Sequence, residues 1–532
     1  MGKIGAAAMA VAMAASMLAC APASPRSAHT DSYLVFYADQ AGARSAVERA
    51  GARFVSDEPK LGYLVAEGDR SLPDRLDGDP AVAGVSTDGV IGFAAAVPAA
   101  VPAAGMPDVS SMTRNGDPAK AEPLARRQWD MKMIGADRAN AAQPGSKKVL
   151  VGVIDTGVDG KHPDIAPNFN RELSRNFVTD IPKDADGEEL DGPCEVKSCK
   201  DPVDVDDDGH GTHVAGTIAA PVNGIGIAGV APNVQIVNLR AGQDSGFFFL
   251  KASLDALTYA ADIGVDVVNM SYYVDPWLFN CADNQADSKK QRQQQRAIVT
   301  GMQRALDYAR GKGVTLISAL GNGSTDLGHP RSDTGSPNYP PGREKTRRVD
   351  NSCINVPAES KGVISVAAVA PSGTKAGYSD YGLEQTDLSA PGGDVSDGTG
   401  LAVTRSILAP APEHVLRATG KLDDDGSPNT SEVVRDCTAG PCSYYQYLDG
   451  TSMAAPHATG VAALLISRFG KPGQGGLHLD PATVEKYLYG TATQKACPAS
   501  YPLDHKCEGD KARNGFFGRG VVDAFKAATF QP

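Results

Sequence analysis

Five largely apolar, β-branched runs limit the architectures open to this chain: Val149–Ile154, Val234–Leu239, Val265–Met270, Val314–Leu320 and Val363–Val369. A strand with one wet face alternates polar and apolar residues. A run without alternation is buried on both faces, as in a parallel sheet covered by helices. Helical stretches lie between the runs, notably Ala252–Ile263 and Gln294–Lys312. The pattern predicts an α/β fold with a doubly wound parallel sheet over residues 125–532. Ligands of such sheets bind beyond the carboxyl ends of the strands. Asp155 and Asn322 both follow strands there.

The region before this sheet is of another kind. Residues 31–92 read as β-α-β-β-α-β, a small α+β unit without cysteine or an obvious catalytic group. Residues 93–124 are rich in Ala, Pro, Gly and Ser and read as an exposed linker. Residues 1–20 read as an export signal: Lys3 is the positive start, and Ile4–Leu18 is an apolar run too short for a comfortable membrane span. The run ends in Ser16-Met17-Leu18-Ala19-Cys20, which resembles a lipoprotein cleavage box. The expected location is therefore extracytoplasmic, with Cys20 lipidated and anchoring the chain to a membrane; an ordinary secretory cut nearby is the alternative. There are nine cysteines. Without Cys20, eight remain for an oxidising compartment. Proximity proposes Cys194–Cys199, Cys437–Cys442 and Cys497–Cys507, which leaves Cys281–Cys353. The net charge of -12 argues against a nucleic-acid partner.

Three short segments carry the chemistry. Asp155-Thr156-Gly157 supplies a carboxylate where a buried strand enters a turn. His210-Gly211-Thr212-His213 supplies an imidazole at the start of a helix. Gly450-Thr451-Ser452-Met453-Ala454-Ala455-Pro456 supplies a hydroxyl at the start of a second, apolar helix. A hydroxyl is a poor nucleophile at neutral pH and needs a base, itself oriented by an anion. The backbone N–H of Ser452 at a helix N-terminus favours developing negative charge. Asn322, in Gly321-Asn322-Gly323, is the candidate for a second donor.

These segments resemble the signatures of the subtilisin-like serine proteases, the subtilases. Further matches are His162-Pro163-Asp164, Gly229-Val230-Ala231-Pro232, Asn269-Met270-Ser271 and Ser389-Ala390-Pro391-Gly392-Gly393. The resemblance implies an exported endopeptidase with Asp155, His210 and Ser452 as catalytic triad and with Asn322 and the Ser452 N–H as oxyanion hole. It implies substrate-binding segments around Ser271 and Tyr272, Ser245 and Gly246, and Ala319 and Gly321. The chemistry then requires no cofactor. Residues 31–92 would be the propeptide, a chaperone and temporary inhibitor removed by self-cleavage between about residues 93 and 127. The partners implied are a polypeptide substrate and the chain's own propeptide, and a monomer is expected. A maturation protease for one precursor and a non-catalytic surface lipoprotein are the alternatives.

The chain also departs from that family. After Ser271 it continues Tyr272-Tyr273-Val274 instead of leucine and glycines, and insertions precede both His210 and Ser452. Phe247-Phe248-Phe249 fits an apolar subsite or the core equally well. Asp204-Val205-Asp206-Asp207-Asp208-Gly209 begins like an EF-hand loop, but Ala215 stands where its glutamate is required. It reads as a solvated acidic loop. Lys289–Arg296 reads as the exposed start of a helix. A structural calcium is expected instead at Asp164 with Asn223 and the loop that follows it.

Overall fold

The computed structural model describes residues 31–87, 97–98 and 122–532, apart from 184–186, 188, 275, 340–341 and 399–401. The export signal, Cys20 and most of the linker lie outside these residues.

The N-terminal unit consists of β1 (Asp31–Tyr37), α1 (Gln40–Arg49), β2 (Arg53–Glu58), β3 (Tyr63–Gly68), α2 (Leu72–Leu76) and β4 (Val82–Thr87). Its strands form an antiparallel sheet in the order β2-β3-β1-β4. Asp39 caps α1 by accepting the Gly42 N–H at 2.8 Å. Alternation along β1 divides its side chains between two cores. Tyr33 and Val35 meet Ala43, Val47, Leu72 and Leu76 within the unit. Leu34 and Phe36 point the other way, into the core of the larger domain.

The larger domain is built on β6 (Leu150–Ile154), β7 (Arg175–Asn176), β8 (Gln235–Arg240), β9 (Val267–Met270), β10 (Thr315–Ala319), β11 (Val363–Val369) and β12 (Leu388–Pro391); a short β5 (Val97–Pro98) precedes them. The sheet order is β12-β11-β10-β9-β6-β8-β7, and the paired strands are parallel. From β6 the chain goes to β8 on one side and later to β9 on the other, so the order reverses at β6. Helices α3 (His210–Ala219), α4 (Leu250–Ile263), α5 (Lys289–Gly311), α6 (Glu413–Ala418) and α7 (Thr451–Phe469) complete the part of the fold that matters here. Val151 and Val153 pack with Val214, Ile218 and Val461, from α3 and α7. Leu150 and Ile154 pack with Leu254, Leu257 and Ile298, from α4 and α5. Burial on both faces is why β6 has no polar side chain.

Helix α7 runs through the interior and is buried from Thr451 to Ile466. Its small residues let neighbours approach: a Cβ on Gly460 would lie 2.5 Å from the Val230 side chain. The second insertion forms a separate small sheet from β13 (Ile407–Pro410), β14 (Val433–Asp436) and β15 (Ser443–Asp449), ordered β13-β15-β14, with β5 pairing on β15.

The N-terminal unit docks on α5. Arg304 donates to the carbonyls of Gly62 (2.7 Å), Leu61 (3.1 Å) and Tyr37 (2.9 Å). Gln293 and Arg296 both reach Asp77 at 2.9 Å. The basic, Gln-rich start of α5 is therefore partly interface and core, not exposed throughout as its composition implied. Gln293 and Gln295 are buried, and Gln295 accepts the Cys281 N–H at 2.7 Å. Disulfides join Cys194–Cys199, Cys281–Cys353, Cys437–Cys442 and Cys497–Cys507.

Candidate active site

Asp155 leaves the end of β6, and His210 is the first residue of α3. The two meet in a buried contact, with His210 Nδ1 2.7 Å from Asp155 Oδ1. The same oxygen accepts the Thr156 N–H at 2.8 Å. Asp206 fixes the angle between turn and helix. It accepts the N–H groups of Gly209 and Thr212 at 2.9 Å each, and the Thr156 hydroxyl at 3.0 Å. This is an N-terminal cap supplied from outside the helix, satisfying backbone donors that α3 itself cannot. Burial disfavours a charged His210, but the charges of Asp155, Asp208 and Asp206 outweigh it and hold the imidazole above its ordinary range. Among the described residues, His210 Nε2 has no hydrogen-bond partner.

Ser452 is the second residue of α7. Its hydroxyl donates to the Ser271 carbonyl at 3.1 Å, and its own carbonyl accepts from the Ser271 hydroxyl at 2.9 Å. The second bond has a specific cause. Pro456 has no N–H, so the carbonyl four residues earlier, that of Ser452, loses its helical partner. Ser271, just past β9, replaces it. Asn269 donates to the Ser271 hydroxyl at 2.9 Å and Thr459 to Asn269 Oδ1 at 2.9 Å, so the replacement is itself held. Pro456 is the sixth residue of the helix, beyond its first turn.

Asn322 lies three residues beyond β10. Its Oδ1 accepts both the N–H (2.9 Å) and the hydroxyl (2.8 Å) of Thr451. Two donors on one oxygen decide which end of the amide is which, and the NH₂ is the end left for other partners. A small cavity here is lined by Ser271, Tyr272, Tyr273, Ala319, Gly321, Asn322, Asn355, Thr451 and Ser452. Of the residues anticipated from sequence as substrate-binding, it gathers Ser271, Tyr272, Ala319 and Gly321. Ser245 and Gly246 are not among its lining residues.

A model of the subtilase family matches residues 146–520, more than half of the chain. The chain belongs to the subtilase family. It is 30% identical over 342 residues to the thermophilic serine proteinase of Bacillus sp. (strain AK1), covering 64% of this chain and 58% of that one. Thermitase of Thermoactinomyces vulgaris is 27% identical over 346 residues, 65% of this chain and 84% of its own. In the first two curated relatives the match spans only 58% and 39% of the relative. The crystal structure of the epidermin leader peptide processing serine protease of Staphylococcus aureus superposes with a TM-score of 0.62 at 22% identity, covering 95% of this chain and 99% of that one.

In this subtilase both insertions meet beside the start of α3. The first is tied down by fully buried Arg240, which meets Asp180 (3.0 Å), Asp201 (2.5 Å) and Asp244 (2.6 Å). Ser245 donates to Asp191 of the same insertion at 2.7 Å. Asp204–Asp208 is wired into the protein and is not the solvated loop anticipated: Asp204 binds Lys161 and Arg171, Asp206 caps α3, and Asp208 accepts the His210 N–H at 3.0 Å. Asp207 meets His414 of α6 at 2.9 Å, which brings the second insertion against the first. Phe248 is core, stacked on Tyr272 with ring centroids 4.2 Å apart; Phe249 is also buried, and Phe247 is half-buried against Tyr339.

The expected calcium ligands lie beside Ile227 and Tyr445. Asp164 is buried, and its Oδ2 accepts from Ile227 N–H (3.0 Å) and the Tyr445 hydroxyl (3.1 Å). Asn223 Oδ1 accepts the Ile225 N–H at 2.8 Å. Asp164 Oδ1 and Glu122 Oε2 are buried carboxylate oxygens without partners among the described residues. Burial pushes the Asp164 carboxyl up to about 8. Hard oxygen donors starved of partners fit a calcium ion. Glu122 was not anticipated from sequence.

Proposed function

We propose that the chain is an exported serine endopeptidase made as a self-processed zymogen. The observation that carries this reading is the buried 2.7 Å contact of His210 Nδ1 with Asp155, which directs Nε2 away from the carboxylate. In the proposed cycle the Ser452 hydroxyl leaves the Ser271 carbonyl and gives its proton to His210 Nε2. Such contacts often form only when substrate is bound. Ser452 Oγ then bonds to the scissile carbonyl carbon, and the oxyanion takes hydrogen bonds from the Asn322 NH₂ and the Ser452 N–H. His210 returns the proton to the leaving amine, and water repeats the sequence on the acyl ester. An active-site fluorophosphonate is expected to label the processed enzyme at Ser452, and unfolded casein to be cut. A correctly folded chain that does neither would instead be the binding lipoprotein.

Residues 31–92 are the proposed propeptide. Supporting this, β5 of the linker pairs antiparallel with the end of β15, Val97 opposite Asp449, one residue before Gly450. The linker thus passes close to Ser452, and N-terminal sequencing of mature enzyme should find a start between about residues 93 and 127. Lipidated Cys20 would anchor the zymogen. A narrower reading, a protease dedicated to one precursor, is favoured by the two insertions around His210. Relatives at this level include the nisin leader peptide-processing serine protease of Lactococcus lactis subsp. lactis, 27% identical over 351 residues, 64% of this chain and 44% of that one.

Two further results are expected. Asp208→Asn removes a negative charge that favours the imidazolium. Asp208 is itself ionised above about 6, a value raised by burial and by Asp206. The variant's His210 should therefore lose its proton at lower pH, and the acid limb of kcat/KM should move down by about half a unit to one unit. A limb that stays in place or moves up would contradict the charge coupling. Second, a calcium ion held by Asp164, Glu122 and Asn223 would stabilise the fold by about 2.7 kcal/mol at a hundred times Kd. Chelator should lower the melting temperature of Ser452→Ala by several degrees, and Asp164→Asn should abolish that difference. A melting temperature indifferent to chelator would remove the calcium.

A further inference from the structure

The Asn322 side chain is fixed from α7 by Thr451, but its backbone belongs to a loop with little regular structure, Leu320–Thr325. That loop is wrapped around one carboxylate. Asp380, 1% exposed, lies on the segment after β11. Its Oδ1 accepts the Thr325 N–H at 2.7 Å, and the Gly323 N–H also points to the carboxylate. Its own N–H donates to the Gly321 carbonyl at 2.9 Å. Two backbone N–H groups of one short loop, those of Gly323 and Thr325, thus converge on a single buried anion. The fit is close: a Cβ on Gly321, where φ is +129°, would fall 2.2 Å from Asp380 Oδ2.

The carboxylate is itself anchored. The Ser379 hydroxyl donates to the Asp380 carbonyl at 2.9 Å and accepts the Ala368 N–H of β11 at 3.0 Å. Buried Lys375 donates to the carbonyls of Ala376 (2.9 Å) and Ser379 (2.7 Å), which stiffens the same turn. Two further backbone bonds join the segments, Ser324 N–H to Tyr378 O at 2.8 Å and Tyr381 N–H to Thr325 O at 3.0 Å. Burial raises the Asp380 carboxyl to about 7, against the backbone donors and Lys375. A buried acid with this penalty is retained where its acceptor oxygens are needed.

We infer that Asp380 is a positioning residue for the reaction, holding the Gly321–Thr325 loop so that the Asn322 amide meets the developing oxyanion. This rests on the proposed role of Asn322. Asp380 touches no reacting atom, so its effect must pass through that amide.

A double-mutant cycle tests it, with active sites titrated by fluorophosphonate so that only folded enzyme is counted. Asp380→Asn replaces one acceptor oxygen by a donor facing backbone donors. It is expected to lower kcat about 10- to 100-fold, within the loss of a misplaced or missing oxyanion donor, with KM changed less than about 3-fold. Asp380→Ser, which keeps a small acceptor, should lie between it and wild type. In an Asn322→Ala background, Asp380→Asn should cost less than about a further 3-fold, because the amide it positions is gone. The same full loss in that background, an unchanged kcat, or failure of both variants to fold would overturn the inference. If Asn322→Ala itself leaves kcat unchanged, the oxyanion-hole reading falls first, and that result is distinguishable.

Discussion

Ser452→Ala is expected to lower kcat about a million-fold, the scale of the loss measured when subtilisin is stripped of its nucleophile. It should also accumulate as a precursor that keeps residues 31–92. The first effect follows from chemistry: with no oxygen at Cβ, no acyl ester forms, and only binding and oxyanion stabilisation remain. The second follows from the zymogen reading. The N-terminal unit is fastened to α5 through Arg304, Gln293, Arg296 and, beside that helix, to α4 through the Lys60–Asp262 ion pair, at 2.9 Å. Its sheet also shares a core with α5, so it has no reason to depart uncut. Folding should be intact, because it is the Ser452 carbonyl, which the variant keeps, that pairs with the Ser271 hydroxyl in place of the N–H missing at Pro456. Intact mass and N-terminal sequencing of purified wild type and variant decide it. A variant that still loses its first ninety or so residues in the absence of other proteases would show that the cut does not depend on Ser452.

Five of the seven strands of the parallel sheet were legible because each carries its own record, whereas the short β7 and β12 do not. Val151 and Val153 must face one helix layer and Leu150 and Ile154 the other, and no polar residue interrupts them. The three segments proposed to carry the chemistry stand out for a similar local reason: each couples its polar side chain to a turn or helix start. What supports them was not legible. Thr451 and Asp380 act on partners 129 and 55 positions away, and Asp206, although it caps the helix just after it, also holds Thr156 50 positions back. The acidic run Asp204–Asp208 was misread for that reason. Its composition is that of a wet loop, but its partners, Arg171, Thr212 and His414, are distant or hidden in the fold. The Ser245 hydrogen bond to Asp191 joins an insertion whose path no local pattern encodes. The substitution of Ser271 for the helical donor missing at Pro456 was in principle readable, since a proline six residues into a helix always orphans a carbonyl. Which group answers it required the fold.

Asp155→Asn should lower kcat about 10⁴-fold while leaving the structure in place. The change keeps the shape of the side chain, but His210 Nδ1 and the Thr156 N–H share Asp155 Oδ1, so an amide that turns its NH₂ to one gives up its acceptor for the other. It alters what His210 Nδ1 can do. A carboxylate only accepts, which forces the Nδ1 proton onto the Asp155 side and leaves Nε2 as the lone pair that can take a proton from Ser452. An amide that turns its NH₂ toward Nδ1 stabilises the opposite tautomer, in which Nε2 already carries a proton and cannot act as a base. It also removes the charge that supports the imidazolium once formed, in a buried setting where little water is available to replace it. Two measurements separate these from simple misfolding. Fluorophosphonate should label Asp155→Asn far more slowly but to completion. The peptide-aldehyde affinity attributable to Asn322 and the Ser452 N–H should fall much less than kcat. A loss below about 100-fold would mean that the 2.7 Å contact is a structural bond of the β6 turn, and that some other group prepares the imidazole.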